Sequence, residues 1–251
     1  LKAQPGKRRV IRNRKGAVVE EIAQVKRARS GNDLTSSIDM RLQYIAYRSL
    51  ARAIKYHAAK SGSAVLLDVR TGEILAMVNQ PSYNPNQSKN QSAALRRNRA
   101  LTDVFEPGSV IKPFTLAAAI DLGLYDRQSR VDTGPGWFMV KGHPVKDIRN
   151  YGELDLASIL RKSSNVGASR IALSMQGKDL WQAFKDYGFG EPVGVSFPAE
   201  SAGYLRHYLD WQPLDHATMG FGYGLSVSIT QLARGYAVIA NGGRQIDFSL
   251  I

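Results

Sequence analysis

The chain has 251 residues, 43% of them hydrophobic, with a net charge of +13 and a pI near 10.0, long enough to bury a core as one large domain or two small ones. No run approaches the ~18 apolar residues of a membrane span and no signal peptide is visible; the chain begins at Leu1, so a segment removed upstream is expected. There is no cysteine, and the four histidines (His57, His143, His207 and His216) lack metal-ligand spacing. This excludes thiol catalysis, disulfides and cysteine-ligated zinc, and no cofactor or metal is expected; the chemistry falls to Ser, Lys, Asp, Glu, Tyr or Asn.

The positive charge is concentrated at the start. Residues 1–30 hold ten Lys or Arg against Glu20 and Glu21. In "RRVIRNRKGAVVEEI" basic residues alternate with Val and Ile, and "NRKG" reads as a turn between two short strands. No aromatic residues are interleaved for base stacking, so residues 1–33 read as a basic extended segment, a linker or strand pair of an upstream domain, and no nucleic-acid partner is expected.

From "SIDMRLQYIAYRSLARAI" the pattern is helical. Leu42, Ile45, Ala46, Ser49, Leu50 and Ala53 recur at three and four as one apolar stripe, with Ser37 or Asp39 as the cap. In "SAVLLDVRTGEILAMV" two Val/Ile/Leu-rich runs flank "RTG", which predicts a β-hairpin in an antiparallel sheet. Residues 79–92, "NQPSYNPNQSKNQS", read as a polar loop broken by Pro81 and Pro85.

A helix is expected from Ser109 to a stop at Gly123. Pro113 lies four residues after Ser109 and withholds the usual N–H partner of its carbonyl, which is tolerable only in a first turn. Two helices follow in "GELDLASILRKSSNVGASRIALSM", broken at "KSSN" because Ser and Asn compete with the helix for backbone hydrogen bonds. Further helices are "KDLWQAFKDYGFG" and "ITQLARGYAVIA", the latter closing on "NGG". The final "RQIDFSLI" reads as the entry to a strand with nothing downstream to pair with.

The S-x-x-K at Ser109 and Lys112 is weak alone, since 21 serines and 13 lysines give about one chance match. Its context lifts it: a Pro-Gly stop, then a helix starting at the serine. Spacing of three puts the lysine on the serine's own face, within hydrogen-bond reach. To act as a base near pH 7, a lysine must lose about 3 pKa units, roughly 4 kcal/mol, which burial or a neighbouring cation can supply. The Ser109 N–H near a helix N-terminus could form half of an oxyanion hole.

S-x-N occurs four times, at Ser30, Ser82, Ser88 and Ser163. Of these, Ser163-Ser164-Asn165 falls at a break between two helices, where short polar side chains can face a cleft. K-[ST]-G occurs as Lys60-Ser61-Gly62 and reads as a helix C-terminus, not a site. There is no G-x-S-x-G, P-loop or G-x-G-x-x-G. His216 and Asp68 read as structural.

Taken together, "GSAVLLDVRTGEILAMVNQPSYNPN", "RNRALTDVFEPGSVIKPF", "GELDLASILRKSSNVGASRIAL" and "FGYGLSVSITQLARGYAVIANGG" resemble, in order and spacing, the transpeptidase domain of class B penicillin-binding proteins, nearest the septal, cell-division type. The resemblance covers most of residues 34–251 and implies an α+β fold with an antiparallel sheet between helical layers. It implies a peptidoglycan D,D-transpeptidase. Ser109 would attack a stem-peptide D-Ala carbonyl, Lys112 would take its proton, Ser163 would relay a proton to the leaving amine, and Asn165 would hold the peptide or Lys112. The acyl group would then pass to an amine on a neighbouring stem, and a β-lactam would trap Ser109 as a slow ester.

Phe221, Gly222 and Tyr223 match positions flanking the substrate cleft, and Glu106, grouped with them, reads as a structural hydrogen-bonder. The implied partners are the D-Ala-D-Ala stem peptide, β-lactams and division-machinery proteins including a glycosyltransferase. The implied location is the periplasmic face of a bacterial inner membrane, held by an N-terminal anchor absent from this chain. Residues 1–33 would belong to an N-terminal pedestal or linker and residues 34–251 to a transpeptidase domain incomplete at its C-terminus.

The family's third motif, K-[ST]-G on a central strand, is expected beyond Ile251, together with further strands of the sheet. A chain truly ending here would be nearly inactive, since one oxyanion donor is typically worth about 10²- to 10³-fold in rate. Two other readings stay open: a serine β-lactamase-like hydrolase, distinguished by penicillin turnover, and a non-catalytic division scaffold module, distinguished by the absence of a penicillin adduct.

Overall fold

The computed structural model describes residues 2–90 and 92–251. They fall into two units, one ending at Ser37 and the other spanning Ile38–Leu250. In the first, β1 (Lys7–Arg12) and β2 (Val18–Lys26) pair antiparallel. The turn between them forms at "NRKG" because Asn13 Oδ1 accepts the N–H groups of Lys15 and Ala17 at 2.9 and 3.0 Å. Val18, Val19, Ile22 and Val25 remain exposed, so this hairpin buries no core of its own, and an isolated two-stranded hairpin is marginal in water.

The second unit opens with α1 (Met40–Tyr56), capped by Asp39, whose carboxylate accepts the N–H groups of Arg41 and Leu42. The inward face is Leu42, Gln43, Ala46, Leu50 and Ile54. Ile45, Ser49 and Ala53 of the expected stripe are exposed instead. Gln43 displaces them because its side chain takes both the N–H and the C=O of Met77 (2.8 and 2.9 Å), which turns that face onto a strand edge. The helix stops at Tyr56, so Lys60-Ser61-Gly62 lies past it, running into the first residue of β3, and is not the helix C-terminus expected.

β3 (Gly62–Leu67) and β4 (Ile74–Gln80) form the antiparallel hairpin read around "RTG". Asp68 shapes its turn by accepting the Arg70 N–H at 2.7 Å, as the structural reading held. Ile74, Ala76, Val78 and Gln80 are buried while their alternates are half-buried, so both faces of β4 are covered. Pro85–Asn90 and Ala93–Arg96 form short 3₁₀ turns within and beyond the stretch read as polar loop; that reading also takes in Gln91, which lies outside the described residues. α2 (Arg99–Thr102) follows, with Leu101 packed beside Ile74 and Ala237.

A 3₁₀ turn at Gly108–Ile111 leads into α3 (Lys112–Asp121). The difficulty posed by Pro113 is solved here: the Lys112 N–H, not residue 113, bonds the Ser109 carbonyl. α3 carries Phe114, Thr115, Leu116, Ala118 and Ala119 buried on several sides, the pattern of a central core helix. The main core surrounds it, with Ile159, Ile171, Leu180, Phe184, Phe189, Met219 and Val227.

Residues 124–155, for which the sequence suggested no element before Gly152, hold four short strands. β5 (Arg130–Asp132), β6 (Trp137–Val140), β7 (His143–Lys146) and β8 (Glu153–Asp155) pair as β5 with β8 and β6 with β7. Then come α4 (Leu156–Lys162), α5 (Asn165–Ser174), α6 (Gly177–Asp186), β9 (Tyr204–Leu205), α7 (Pro213–Met219), β10 (Leu225–Ser226), paired with β9, and α8 (Ile229–Ala240). The final segment does find a partner, upstream: Ser249 accepts the Ile74 N–H at 2.9 Å and donates to the Gly72 carbonyl at 3.1 Å, while Phe248 is buried. Among the described residues, no helix is long and apolar enough to cross a membrane.

Candidate active site

The site is built where the start of α3 meets the junction of α4 and α5. Ser109 lies in the 3₁₀ turn and is exposed, whereas Lys112, one turn on, is 1% exposed. A cluster of edge-on rings fixes this end of α3: Phe114 packs against Tyr187, Phe189 and Tyr236, and the Tyr236 hydroxyl donates to the Val110 carbonyl at 2.8 Å.

The break at "KSSN" has a specific geometry. Ser163 takes φ 52°, ψ 43°, a left-handed conformation normally left to glycine. Its N–H bonds Leu160 O and the next N–H, of Ser164, bonds Ile159 O, a Schellman-type end to α4. Ser164 then caps α5, with its Oγ accepting the Gly167 N–H at 2.9 Å. A serine stands at the left-handed position, at a cost of about 1 kcal/mol relative to glycine, and its side chain has work there.

That work concerns Lys112. The Lys112 ammonium donates to Ser163 O at 2.6 Å, Asn165 Oδ1 at 2.8 Å and Ser163 Oγ at 3.0 Å. Ser163 Oγ in turn donates to Ser109 Oγ at 2.8 Å. The direct Ser109–Lys112 hydrogen bond suggested by their spacing is absent among the described residues; the two are joined through Ser163. Burial pushes the Lys112 pKa down to about 8, against the opposing field of Asp147. The neighbouring cation considered at the sequence level is not the cause.

Asp147 is the residue that motif reasoning missed. It follows β7, and its carboxylate accepts the Asn165 N–H (2.5 Å), the Val166 N–H (3.0 Å) and the Ser164 hydroxyl (2.6 Å). It thus holds the positive end of α5 and fixes the residues that follow the Ser163 turn. No sequence signal marks it, since it stands outside any motif and 18 residues before Asn165.

The opposite flank comes from residues 221–227. Phe105 and Val227 exchange backbone hydrogen bonds at 3.0 Å, the Gly108 N–H donates to Gly222 O at 3.0 Å, and Glu106 Oε1 accepts the Gly224 N–H at 3.1 Å. This zips the segment carrying Ser109 to the Phe221–Tyr223 segment. Gly222 sits at φ +93°, and a Cβ there would come within 2.0 Å of the Gly108 carbonyl oxygen, so glycine is required. Phe221 is buried against Tyr223, which stays half exposed. Glu106 spends its carboxylate on this backbone contact. His216, on α7 and away from this network, lies tilted beside the Trp211 ring, and burial lowers its pKa.

This mixed helix and strand architecture is the penicillin-binding transpeptidase fold. Residues 62–251 match the model of the penicillin binding protein transpeptidase domain, and the chain belongs to that family. It is 42% identical over 251 residues to the probable peptidoglycan D,D-transpeptidase PbpC of Pseudomonas aeruginosa, covering 100% of this chain and 44% of that protein. It is 42% identical over 243 residues to the peptidoglycan D,D-transpeptidase FtsI of Escherichia coli, covering 97% of this chain and 41% of that protein. The apo transpeptidase (TP) domain of Burkholderia pseudomallei penicillin-binding protein 3 superposes with a TM-score of 0.79 at 41% identity, over 88% of this chain and 62% of that chain. The chain spans less than half the length of these two relatives.

Proposed function

We propose that this chain is the catalytic part of a peptidoglycan D,D-transpeptidase that works through a Ser109 acyl-enzyme. The observation that carries the mechanism is the set of partners around Lys112 Nζ. A neutral amine has two N–H donors and one lone pair. With Ser163 O and Asn165 Oδ1 taking the two donors, the lone pair is left for Ser163 Oγ, which touches Ser109 Oγ.

The proton of Ser109 then moves to Ser163 Oγ while the Ser163 proton moves to Lys112 Nζ, and Ser109 Oγ bonds the D-Ala carbonyl carbon. The carbonyl oxygen takes the negative charge beside the Ser109 N–H. Collapse breaks the peptide C–N bond, and the Lys112 proton returns through Ser163 to the leaving D-Ala amine. Asn165 holds Lys112 through its amide oxygen, and Phe221, Gly222 and Tyr223 wall the opposite flank. A β-lactam enters the same path and stays as an ester.

The family, the activities for which the relatives are named and this relay support the reading. Septal cell-wall synthesis, a periplasmic position held by an N-terminal membrane anchor, division-machinery partners and a pedestal or linker role for residues 1–33 belong to the same proposal. The test is the reaction of the full-length protein with a peptide ending in D-Ala-D-Ala and an amine acceptor. Release of one D-Ala per cross-linked product, lost in Ser109→Ala, is expected; cross-linking that survives in Ser109→Ala would overturn it.

A further inference from the structure

An open cavity of about 430 Å³ adjoins the Ser163–Asn165 side of the site, lined by Pro135, Gly136, Trp137, Pro144, Lys146, Asp147, Arg149 and Asn150. Its frame is built rather than loose. The Asp147 N–H donates to Gly136 O at 2.8 Å and the Gly136 N–H to Thr133 O at 2.7 Å. A Cβ at Gly136 would meet the backbone of Arg149 and Asn150 within 2.9 Å, so the two walls touch there. Trp137, 48% exposed as a residue, gives the wall an aromatic side chain.

The charges in this cavity are unbalanced. Lys146 and Arg149 are exposed, and among the described residues no ion pair engages either one; Arg149 lies over the Tyr151 ring at 5.3 Å. The acid present, Asp147, has its oxygens committed to Ser164, Asn165 and Val166. The cavity therefore presents two cations and an aromatic face against a single carboxylate, Asp147, whose oxygens are turned to the start of α5, and the remaining positive charge suits a carboxylate carried on a peptide. It is also wired to the reacting groups: the Lys146 carbonyl accepts from Asn165 Nδ2 at 3.3 Å, and Asn165 Oδ1 holds Lys112.

We propose that this cavity is a subsite for the acyl acceptor, binding a carboxylate next to the attacking amine through Lys146 and Arg149, with Trp137 and Pro144 against its aliphatic part. The proposal rests on the transpeptidase reading above. In the second half-reaction the acceptor nitrogen bonds the acyl carbon, the bond from that carbon to Ser109 Oγ breaks, and the amine proton returns through Ser163 and Lys112 to Ser109 Oγ. The subsite sets which amine arrives.

The test offers the full-length protein two synthetic acceptor peptides that differ only in a carboxylate or a carboxamide beside the amine, in direct competition. Two exposed cation–carboxylate contacts lead to an expected preference of about five- to tenfold for the carboxylate. The product ratio within each variant cancels any change in overall rate. It is expected to fall severalfold in Arg149→Ala and in Lys146→Ala, and toward one in the double variant. A ratio of one in the wild type, or a ratio unmoved by both substitutions, overturns the proposal, as does a preference that follows a carboxylate on the donor peptide instead. Titrating the two peptides without donor reads the same preference independently of catalysis. If Ser109 takes a penicillin adduct while the ratio stays at one, the subsite fails and the transpeptidase reading stands. If neither adduct nor cross-link forms, that reading fails, and equal binding of the two peptides overturns the subsite with it.

Discussion

Asp147 and Asn165 meet at 2.5 Å, carboxylate to backbone N–H, and that contact anchors the helix on which half of the site stands. Asp147→Asn removes the charge at the helix N-terminus and at least one of its acceptor contacts. Folding stability is expected to fall by about 1–3 kcal/mol in urea titrations. Because Asp147 raises the Lys112 pKa, the midpoint of the pH–acylation curve is expected to move to lower pH while the plateau rate drops about tenfold to a hundredfold through misplacement of Ser163 and Asn165. An unchanged midpoint would show that the carboxylate does not act on Lys112.

The pH dependence in the unaltered protein follows from the Lys112 pKa of about 8. The neutral amine is the active form, so activity rises with pH. Acylation of Ser109 by a fluorescent penicillin is expected to climb close to tenfold per pH unit below that value and to level off above it. Stopped-flow labelling from pH 6 to 9 reads the curve; a rate falling with pH across that span contradicts a lysine base.

Ser163 separates two roles in one residue. Ser163→Ala and Ser163→Gly both remove the hydroxyl that joins Ser109 to Lys112, and both are expected to lose about 10²- to 10⁴-fold in acylation rate. Their stabilities should differ. Glycine relieves the left-handed conformation at φ 52°, so Ser163→Gly is expected to be about 1 kcal/mol more stable than Ser163→Ala in thermal or urea unfolding.

Gly222 and Gly108 form a second matched pair. A Cβ on Gly222 would lie 2.0 Å from Gly108 O, whereas a Cβ on Gly108 meets nothing within 4 Å. Gly222→Ala is expected to cost well over about 2 kcal/mol and to displace the Ser109 turn, whereas Gly108→Ala, at φ +58°, costs about 1 kcal/mol from conformation alone. Comparison of the two melting curves checks the difference.

Local signals carried the legible part of the fold. A cap at Ser37 or Asp39, "RTG" as a hairpin turn and the break at "KSSN" each depend on residues within a few positions of one another, and each lies where the pattern placed it, with Asp39 as the cap; the helix expected from Ser109 begins there as a 3₁₀ turn and becomes α-helical at Lys112. The failures are tertiary. Ile45, Ser49 and Ala53 fit an apolar stripe, but Gln43 turned the helix by binding the edge of β4. The strands between Arg130 and Asp155 have three or four residues each and acquire meaning only from partners as far as 25 residues away.

The site divides the same way. Ser109, Lys112, Ser163 and Asn165 were nameable from their types and contexts, and the structure brings them together. The order of contacts was not legible: spacing of three suggested a direct Ser109–Lys112 bond, whereas a serine 51 residues from Lys112 stands between them. Asp147 was invisible for a related reason, because its contacts to Asn165 and Val166 go to backbone N–H groups, which no side-chain motif encodes.

The central claim is that Ser109 is the nucleophile and Lys112, through Ser163, its base. Full-length protein incubated with benzylpenicillin, digested and mapped by mass spectrometry tests it most directly. The expected result is one penicilloyl group on the peptide containing Ser109, formed about a hundredfold more slowly in Lys112→Ala. An adduct on another residue, or an undiminished rate without Lys112, would contradict it.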